Sequence, residues 1–386
     1  MTKTRRATFW LRLAALAAAA CLLSGCGSSA TQEQQNTAWE DRTPTHSMEL
    51  QYAEQFTVDY YEDGLALVTI GGTDRYLVVP EDTDPPTGLE EDITVLQQPL
   101  DTIYLAASSA MDSFRQLDEL DRIRMTSTTR ANWSLPEVQQ ALDSGTMCYA
   151  GKYSAPDYEL ILTEGCRLAI ESTMIYHSPE VKEQLEGLGI PVLVERSSYE
   201  SHPLGRMEWT RLYGLLTGTD AEAEAFFDSQ VEQLDDVLTQ ENTGKTVAFF
   251  YISSNGYVNV HKPGDYISKM IELAGGQYVF SDLETEDNAL STTNMQMEAF
   301  YAGARDADYL IYNSAIDGEL ETMDQLLEKD QLLASFRAVQ EGNVWCTGKN
   351  MFQQTTGVSE MILDLNQIVT GQADEETQLT YLHRLT

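Results

Sequence analysis

Three cations stand out in a chain that carries only 24 Lys and Arg against 61 Asp and Glu. Lys152 follows "MCYA", Arg196 follows "VLVE" and Lys349 follows "VWCT", so each sits just past a short apolar run. The same place after other runs is held by Ser108 and Ser109 after "IYLAA", by Asn255 and Tyr257 after "FFYIS", and by Asn313 after "DYLIY". Tyr153 and Tyr199 accompany the first two cations. Cations suit an anionic ligand and tyrosines pack against a large planar or hydrophobic one, so the chemistry these residues offer is reversible binding. Covalent chemistry has no comparable signature, because the chain lacks a Gly-x-Ser-x-Gly elbow, a His-Glu-x-x-His and a phosphate-cradling Gly-x-x-x-x-Gly-Lys-Ser loop. Gly275 and Gly276 in "AGGQY" read as the close of a helix. An envelope hydrolase assembled from scattered Ser, Asp and His, and an adhesive lipoprotein without a deep cleft, are the competing classes.

For the binding residues to meet, their apolar runs must lie side by side as strands whose carboxyl ends share one edge, where open α/β sheets bind ligands. The sequence alternates accordingly. "RYLVVP", "TIYLAASS" with "AMDSFRQLDELDRI", "MCYAG" with "DYELILTEG", and "LAIES" with "SPEVKEQLEGLG" lead to "IPVLVE". A second series runs through "TVAFFYIS", "DYISKMIELAGG", "MEAFYAGARDA", "DYLIYNS", "MDQLLEKDQLLASF" and "GNVWCTG". Strands alternating with helices imply two α/β lobes, each with a mostly parallel sheet flanked by helices. Between the series, Asp220 can cap a helix whose Phe227, Val231, Leu234 and Leu238 recur at helical spacing, one long rigid connector. The expected order is a signal peptide at 1–25, a flexible tether at 26–47, an N-terminal lobe at 48–212, the connecting helix at 213–242 and a C-terminal lobe at 243–386.

The N-terminus reads as an export signal, with Lys3, Arg5, Arg6 and Arg12 ahead of an apolar run that ends in "LLSGC", a lipobox that makes Cys26 the lipidated first mature residue. A cleaved signal with a chance Cys, or a short membrane helix, are the plainer alternatives, and the run is short for a bilayer. Removing residues 1–25 leaves 20 cations against 61 acids, a formal charge of −41 that argues against nucleic acid as a partner. The polar stretch Gly27 to Ser47 would hold a folded body on the order of 25 Å from its anchor. Cys148, Cys166 and Cys346 are an odd set without CxxC spacing; Cys148 and Cys166 could be bridged or remain separate thiols.

The order of lipobox, α/β lobe, long helix and second α/β lobe resembles the substrate-binding lipoproteins of ABC importers that handle ferric siderophores, haem and cobalamin. "YELILTEGCRLAI", "GIPVLVERSSYESHPLGRMEW" and "MEAFYAGARDADYLIY" carry the local likeness. The resemblance implies a binding protein, not an enzyme, that delivers a metal chelate, a ferric siderophore ahead of haem or cobalamin, to an ABC permease dimer with its ATPase. It implies no cofactor, a lipid anchor on the extracytoplasmic face, and one Glu per lobe docking into Arg-containing permease pockets, which maps to Glu159 and Glu298. A carboxylate in the first turn of a helix is favoured by the helix dipole and pairs strongly with Arg. Relatives that carry bare zinc or manganese use several His, whereas His177, His202 and His261 are scattered here, with no HxH. His202 fits a junction-ordering role; His261 could face the cleft or serve as an axial ligand to haem.

Overall fold

The computed structural model describes residues 38–283, 292–316, 318–374 and 377–386. The signal and Cys26 lie outside them. Asp41 and the described residues before it form a small unit with Pro86–Leu89, in which Trp39 is buried and its amide bonds the Thr87 carbonyl at 2.8 Å. The main body comprises residues 42–85 and 90–386.

The folded body starts earlier than Met48. His46–Ser47 already pairs with the strand Phe56–Tyr60, and the His46 ring stacks on Tyr60 at 4.6 Å, so aromatic contact orders residues that composition alone marks as tether. Phe56–Tyr60, Ala66–Ile70 and Asp74–Val79 continue as an antiparallel meander, and Ile93–Gln97 adds a parallel fifth strand. The region up to residue 97 is therefore a sheet of its own and not the first strand–helix repeat of the lobe.

The first α/β sheet is all parallel, in the order Val192–Glu195, Leu168–Ser172, Ile103–Leu105, Ile123–Thr126, Cys148–Tyr149. Its strands alternate between two cores, as a sheet covered on both faces must. Leu168 and Ile170 face the core shared with the meander, while Ala169 and Tyr104 face the core under Ile161, Val181 and Leu185 of the outer helices. Glu171 lies on the Ala169 face, fully buried and with neither carboxylate oxygen hydrogen-bonded among the described residues; burial pushes its pKa up to about 8. The second sheet is seven-stranded. Thr246–Ile252, Tyr309–Tyr312 and Val344–Thr347 run parallel at its centre, the short strand Gln277–Tyr278 pairs parallel with the start of Thr246–Ile252, and Val258–His261, Thr292–Met295 and Leu382–Arg384 run antiparallel at its flanks.

The rigid helical connection begins at Pro203 rather than residue 213. His202 caps the helix Pro203–Thr217, its Nδ1 accepting from the Leu204 amide at 3.2 Å, and Pro203 supplies a preset φ at the first helical position. Burial lowers the His202 pKa to about 4, which keeps that nitrogen an acceptor. Leu204 and Met207 belong to the core of the second lobe, whereas Trp209, Leu212, Tyr213 and Leu216 belong to that of the first. Gly218, left-handed at φ 80°, ends the helix, and Asp220–Glu232 folds back beside it with Ala223 in the first core and Phe227 in the second. The two helices approach closely at Gly214, where a Cβ would lie 2.5 Å from that of Ala223. A further turn, Asp235–Leu238, follows, so of the expected stripe Phe227, Val231 and Leu234 pack on the second lobe, Leu238 is exposed, and the helix is interrupted at Gln233 and Leu234.

Two buried carboxylates beside this helical pair hold the segment that leads into the meander. Glu208 accepts the amides of Gln51 at 2.9 Å and of Tyr52 and Ala53 at 2.8 Å, with Arg211 at 3.1 Å. Glu200 accepts the amides of Glu54 and Gln55 and the Trp209 indole N–H. Asp364 does the same at the other end of the chain, taking the Thr380 and Tyr381 amides.

Candidate ligand-binding cavity

A cavity of about 720 Å³ opens between the lobes, beyond the carboxyl ends of strands from both sheets. The first lobe contributes Asn132, Trp133 and Ser134 from the loop after Ile123–Thr126, and Gln139 from the helix Pro136–Ser144. The second contributes Ser314 and Glu319, after Tyr309–Tyr312, and Lys349, Asn350, Gln353 and Gln354, after Val344–Thr347. Each strand ends because its next residues turn to satisfy backbone groups locally. The buried Asn313 side chain accepts the Ala315 amide at 2.9 Å, and the Thr347 hydroxyl donates to Ser314 at 3.0 Å while accepting the Ser314 amide at 2.9 Å.

The loop that carries Lys349 also fastens the lobes together. Gln353 Oε1 accepts both the amide and hydroxyl of Ser134 at 2.6 Å, and its Nε2 donates to the Asn132 carbonyl at 2.7 Å. Thr355 donates its hydroxyl to the Ser109 carbonyl at 2.7 Å. Asp112, fully buried, accepts the Thr356 amide on one oxygen at 2.9 Å and Arg115 Nε on the other at 2.6 Å. Burial works to lower the Arg115 pKa, and the adjoining Asp112 carboxylate overcomes it, so the guanidinium stays charged. A second tie is a stacked pair, Arg206 of the connecting helix lying 3.9 Å over the Tyr266 ring, whose hydroxyl burial pushes up to about 12.

Of the residues expected at the strand ends, Lys349 lines this cavity and Asn313 lies next to its wall. Ser109 stands at the inter-lobe contact, its hydroxyl donating to Glu195 Oε2 at 3.1 Å, and Ser108 is exposed beside it. The remainder do not line it. Arg196 is at the opposite end of the first sheet, where its guanidinium lies 4.7 Å over Tyr199, bonds Gln55 at 3.4 Å and packs on Gly71. Lys152, exposed, and Tyr153, packed on the outer core, belong to a tight ribbon of Gly151–Lys152 with Ala155–Pro156. Gly151 is required there, with φ 87° and the Ala155 carbonyl 2.6 Å from where a Cβ would sit. Asn255 and Tyr257 form the exposed turn of a hairpin, and Asn255 accepts the Ser253 hydroxyl at 2.6 Å. His261 is buried within an antiparallel strand with Nδ1 on Asp265 at 2.8 Å, so both its place in the sheet and its partner keep it from the strand ends. The three cations expected to share one cleft thus contribute only Lys349 to this cavity.

Sequence reasoning missed the amide and hydroxyl residues that make most of the wall. Their signal is the carboxamides Asn350, Gln353 and Gln354 within a few residues of "VWCTG", and Asn132 and Ser134 after an unrecognised short strand. Glu159 and Glu298 are exposed in the first turns of the helices Tyr158–Thr163 and Met297–Ala304, with Asp157 capping the former by accepting the Leu160 amide at 3.0 Å. Cys148 and Cys166 are free thiols. Among the described residues no three His, Cys, Asp or Glu converge as a metal-ligand set.

Over 350 residues the chain is 22% identical to an uncharacterized lipoprotein of Methanocaldococcus jannaschii, covering 84% of this chain and 82% of that one. A second lipoprotein of the same organism is 23% identical over 343 residues, covering 83% and 84%. Among solved structures, the periplasmic haem-binding protein HutB of Vibrio cholerae matches with a TM-score of 0.58 at 18% identity, over 71% of this chain and 100% of that one. The petrobactin-binding protein YclQ of Bacillus subtilis matches with 0.54 at 13% identity, over 71% and 93%. At such identities the likeness to these structures is one of fold. Residues 112–351, more than half of the chain, match the family described as periplasmic binding protein. The chain belongs to that family, whose members bind substrates for transport and are not enzymes.

Proposed function

We propose that this protein is the substrate-binding component of an ABC importer, capturing a ferric siderophore between its lobes and delivering it to a membrane permease. The observation that carries the reading is the cavity of about 720 Å³, walled by both lobes beyond the carboxyl ends of their sheets and large enough for a chelate of that class. Its wall is largely hydroxyl and carboxamide, with Trp133 and one facing pair of charges, Lys349 and Glu319, which supports reversible capture through hydrogen bonds. Cys26 is the lipid anchor in this reading, and the lipoprotein names of the two Methanocaldococcus jannaschii relatives support it. Among the described residues no helix is long and apolar enough to cross a membrane. Glu159 and Glu298, exposed on opposite lobes, are the docking carboxylates, and the N-terminal lobe, connector and C-terminal lobe meet near residues 203 and 243.

Handover follows from the ties between the lobes. With the helical pair and the Gln353 to Thr356 loop both bridging them, spontaneous opening is small, and the permease supplies the force that parts them. The test is quenching of intrinsic fluorescence in the full chain, held in mild detergent, by ferric siderophores, haemin, cyanocobalamin and Zn²⁺. Saturable binding of a ferric siderophore at sub-micromolar concentration is the expected result. Saturation by haemin or cyanocobalamin alone reassigns the cargo, and hydrolysis of a generic ester or peptide with no chelate bound overturns the reading.

A further inference from the structure

Resting on that reading of the cavity, its two charged residues say which cargo it admits. Among the described residues that line it, Lys349 and Glu319 alone carry charge, and they face each other. Lys349 Nζ lies 3.9 Å from Glu319 Oε2, and the Lys349 amide donates to Glu319 Oε1 at 3.2 Å. The acid is the more enclosed partner, its side chain 28% exposed against 67% for the lysine. An anion that approached Lys349 would therefore meet a carboxylate already in place and less able to be screened by water. The rest of the wall is uncharged and partly self-satisfied. Gln353 is spent on Ser134 and Asn132, and Asn350 Nδ2 donates to Gln354 Oε1 at 2.8 Å, which leaves the Asn350 oxygen and the Gln354 nitrogen to address a ligand as one acceptor and one donor.

We propose that Glu319 sets the charge of the cargo: paired with Lys349 it makes the cavity electrically neutral, so that a net-neutral chelate rich in amide and hydroxyl groups is admitted and net-anionic chelates are turned away. Arg196 and Lys152 do not alter this balance, because neither lines the cavity. Glutamine at position 319 keeps an acceptor for the Lys349 amide and frees the ammonium, which makes Glu319→Gln a clean charge change at a partly exposed site.

The test measures dissociation constants of wild type and E319Q, as full chains in mild detergent, for two neutral probes, ferrichrome and cyanocobalamin, and two anionic ones, ferric enterobactin and haemin. Wild type is expected to favour a neutral probe by at least about tenfold, and E319Q to shift the anionic-to-neutral affinity ratio toward the anions by about tenfold. Equal thermal midpoints of the two proteins confirm that the variant is folded. A wild-type preference for an anionic probe, or a ratio that E319Q leaves within about threefold, overturns the assignment while the receptor reading stands. Failure of all four probes to bind wild type overturns the receptor reading and this inference with it.

Discussion

Glutamine in place of Glu208 tests whether the segment before the meander is held as described. The wild-type carboxylate has no solvent exposure and serves three backbone amides and one guanidinium. The glutamine amide has the same shape but only one acceptor atom, so its better orientation puts the carbonyl oxygen under Tyr52 and Ala53 and leaves the amino group against the Gln51 amide and Arg211. One buried N–H then loses its partner, at about 1–3 kcal/mol, and two bonds fall from charge-assisted to neutral strength, at about 1 kcal/mol each. The total is about 3–5 kcal/mol, concentrated where residues 51–53 meet the helix Pro203–Thr217. Hydrogen exchange reads this locally: the amides of Gln51, Tyr52 and Ala53 should exchange roughly a hundredfold faster or more in E208Q, since tenfold in rate is about 1.4 kcal/mol of opening free energy. E222Q, on an exposed face of the returning helix, is the control and should leave those amides unchanged. Protection of residues 51–53 that stays within about threefold of wild type in E208Q would refute the argument.

Glu171 gives a pH signature of definite sign. Its folded pKa of about 8 lies above the ordinary 4.5, so its contribution to stability is complete below pH 4.5 and is lost as pH rises through 8, at up to about 1.4 kcal/mol per pH unit. E171Q should remove that slope and be the more stable protein at pH 8, by denaturant unfolding at pH 5 and pH 8; a slope that persists in the variant excludes Glu171 as its source. For the docking carboxylates, the double reversal E159K/E298K should abolish chelate uptake by cells while the dissociation constant of the purified protein stays within about twofold. Unchanged uptake would sink that assignment.

The two α/β series were legible because alternating apolar runs and amphipathic helices carry strong periodicity, and "VLVE", "DYLIY" and "VWCT" are the strands where expected. The strand Ile123–Thr126 was not, since only two of its four residues, Ile123 and Met125, are apolar, Arg124 stands between them, and the buried fourth residue is the polar Thr126. Missing it hid the loop that brings Asn132 and Ser134 to the cavity. The meander was misread for a related reason: its strands carry apolar runs such as "RYLVVP" that look like parallel-sheet strands, and only the absence of a helix between them reveals antiparallel pairing. Arg196 shows the limit of arguing from strand ends, because the rule locates a residue along a strand but not across the sheet. The order of strands, which decides that Arg196 is on an outer strand and far from Lys349, is a tertiary property. The connector was placed late because its first helix is buried nearly all round and intersperses Arg206, Glu208, Thr210 and Arg211 among its apolar residues, so it shows no single stripe, as befits a helix between two cores.

The grip of Glu208 and Glu200 on residues 51–55 also decides how the molecule answers a mechanical load. A pull applied on the N-terminal side of Met48 first meets the two-residue edge strand His46–Ser47, which can be peeled from Phe56–Tyr60. Beyond that strand the tension arrives at five backbone amides held by two carboxylates, Glu200 just before the helix Pro203–Thr217 and Glu208 within it, so those bonds are strained together. From there the force passes into the helical pair that both cores share, rather than into either sheet alone.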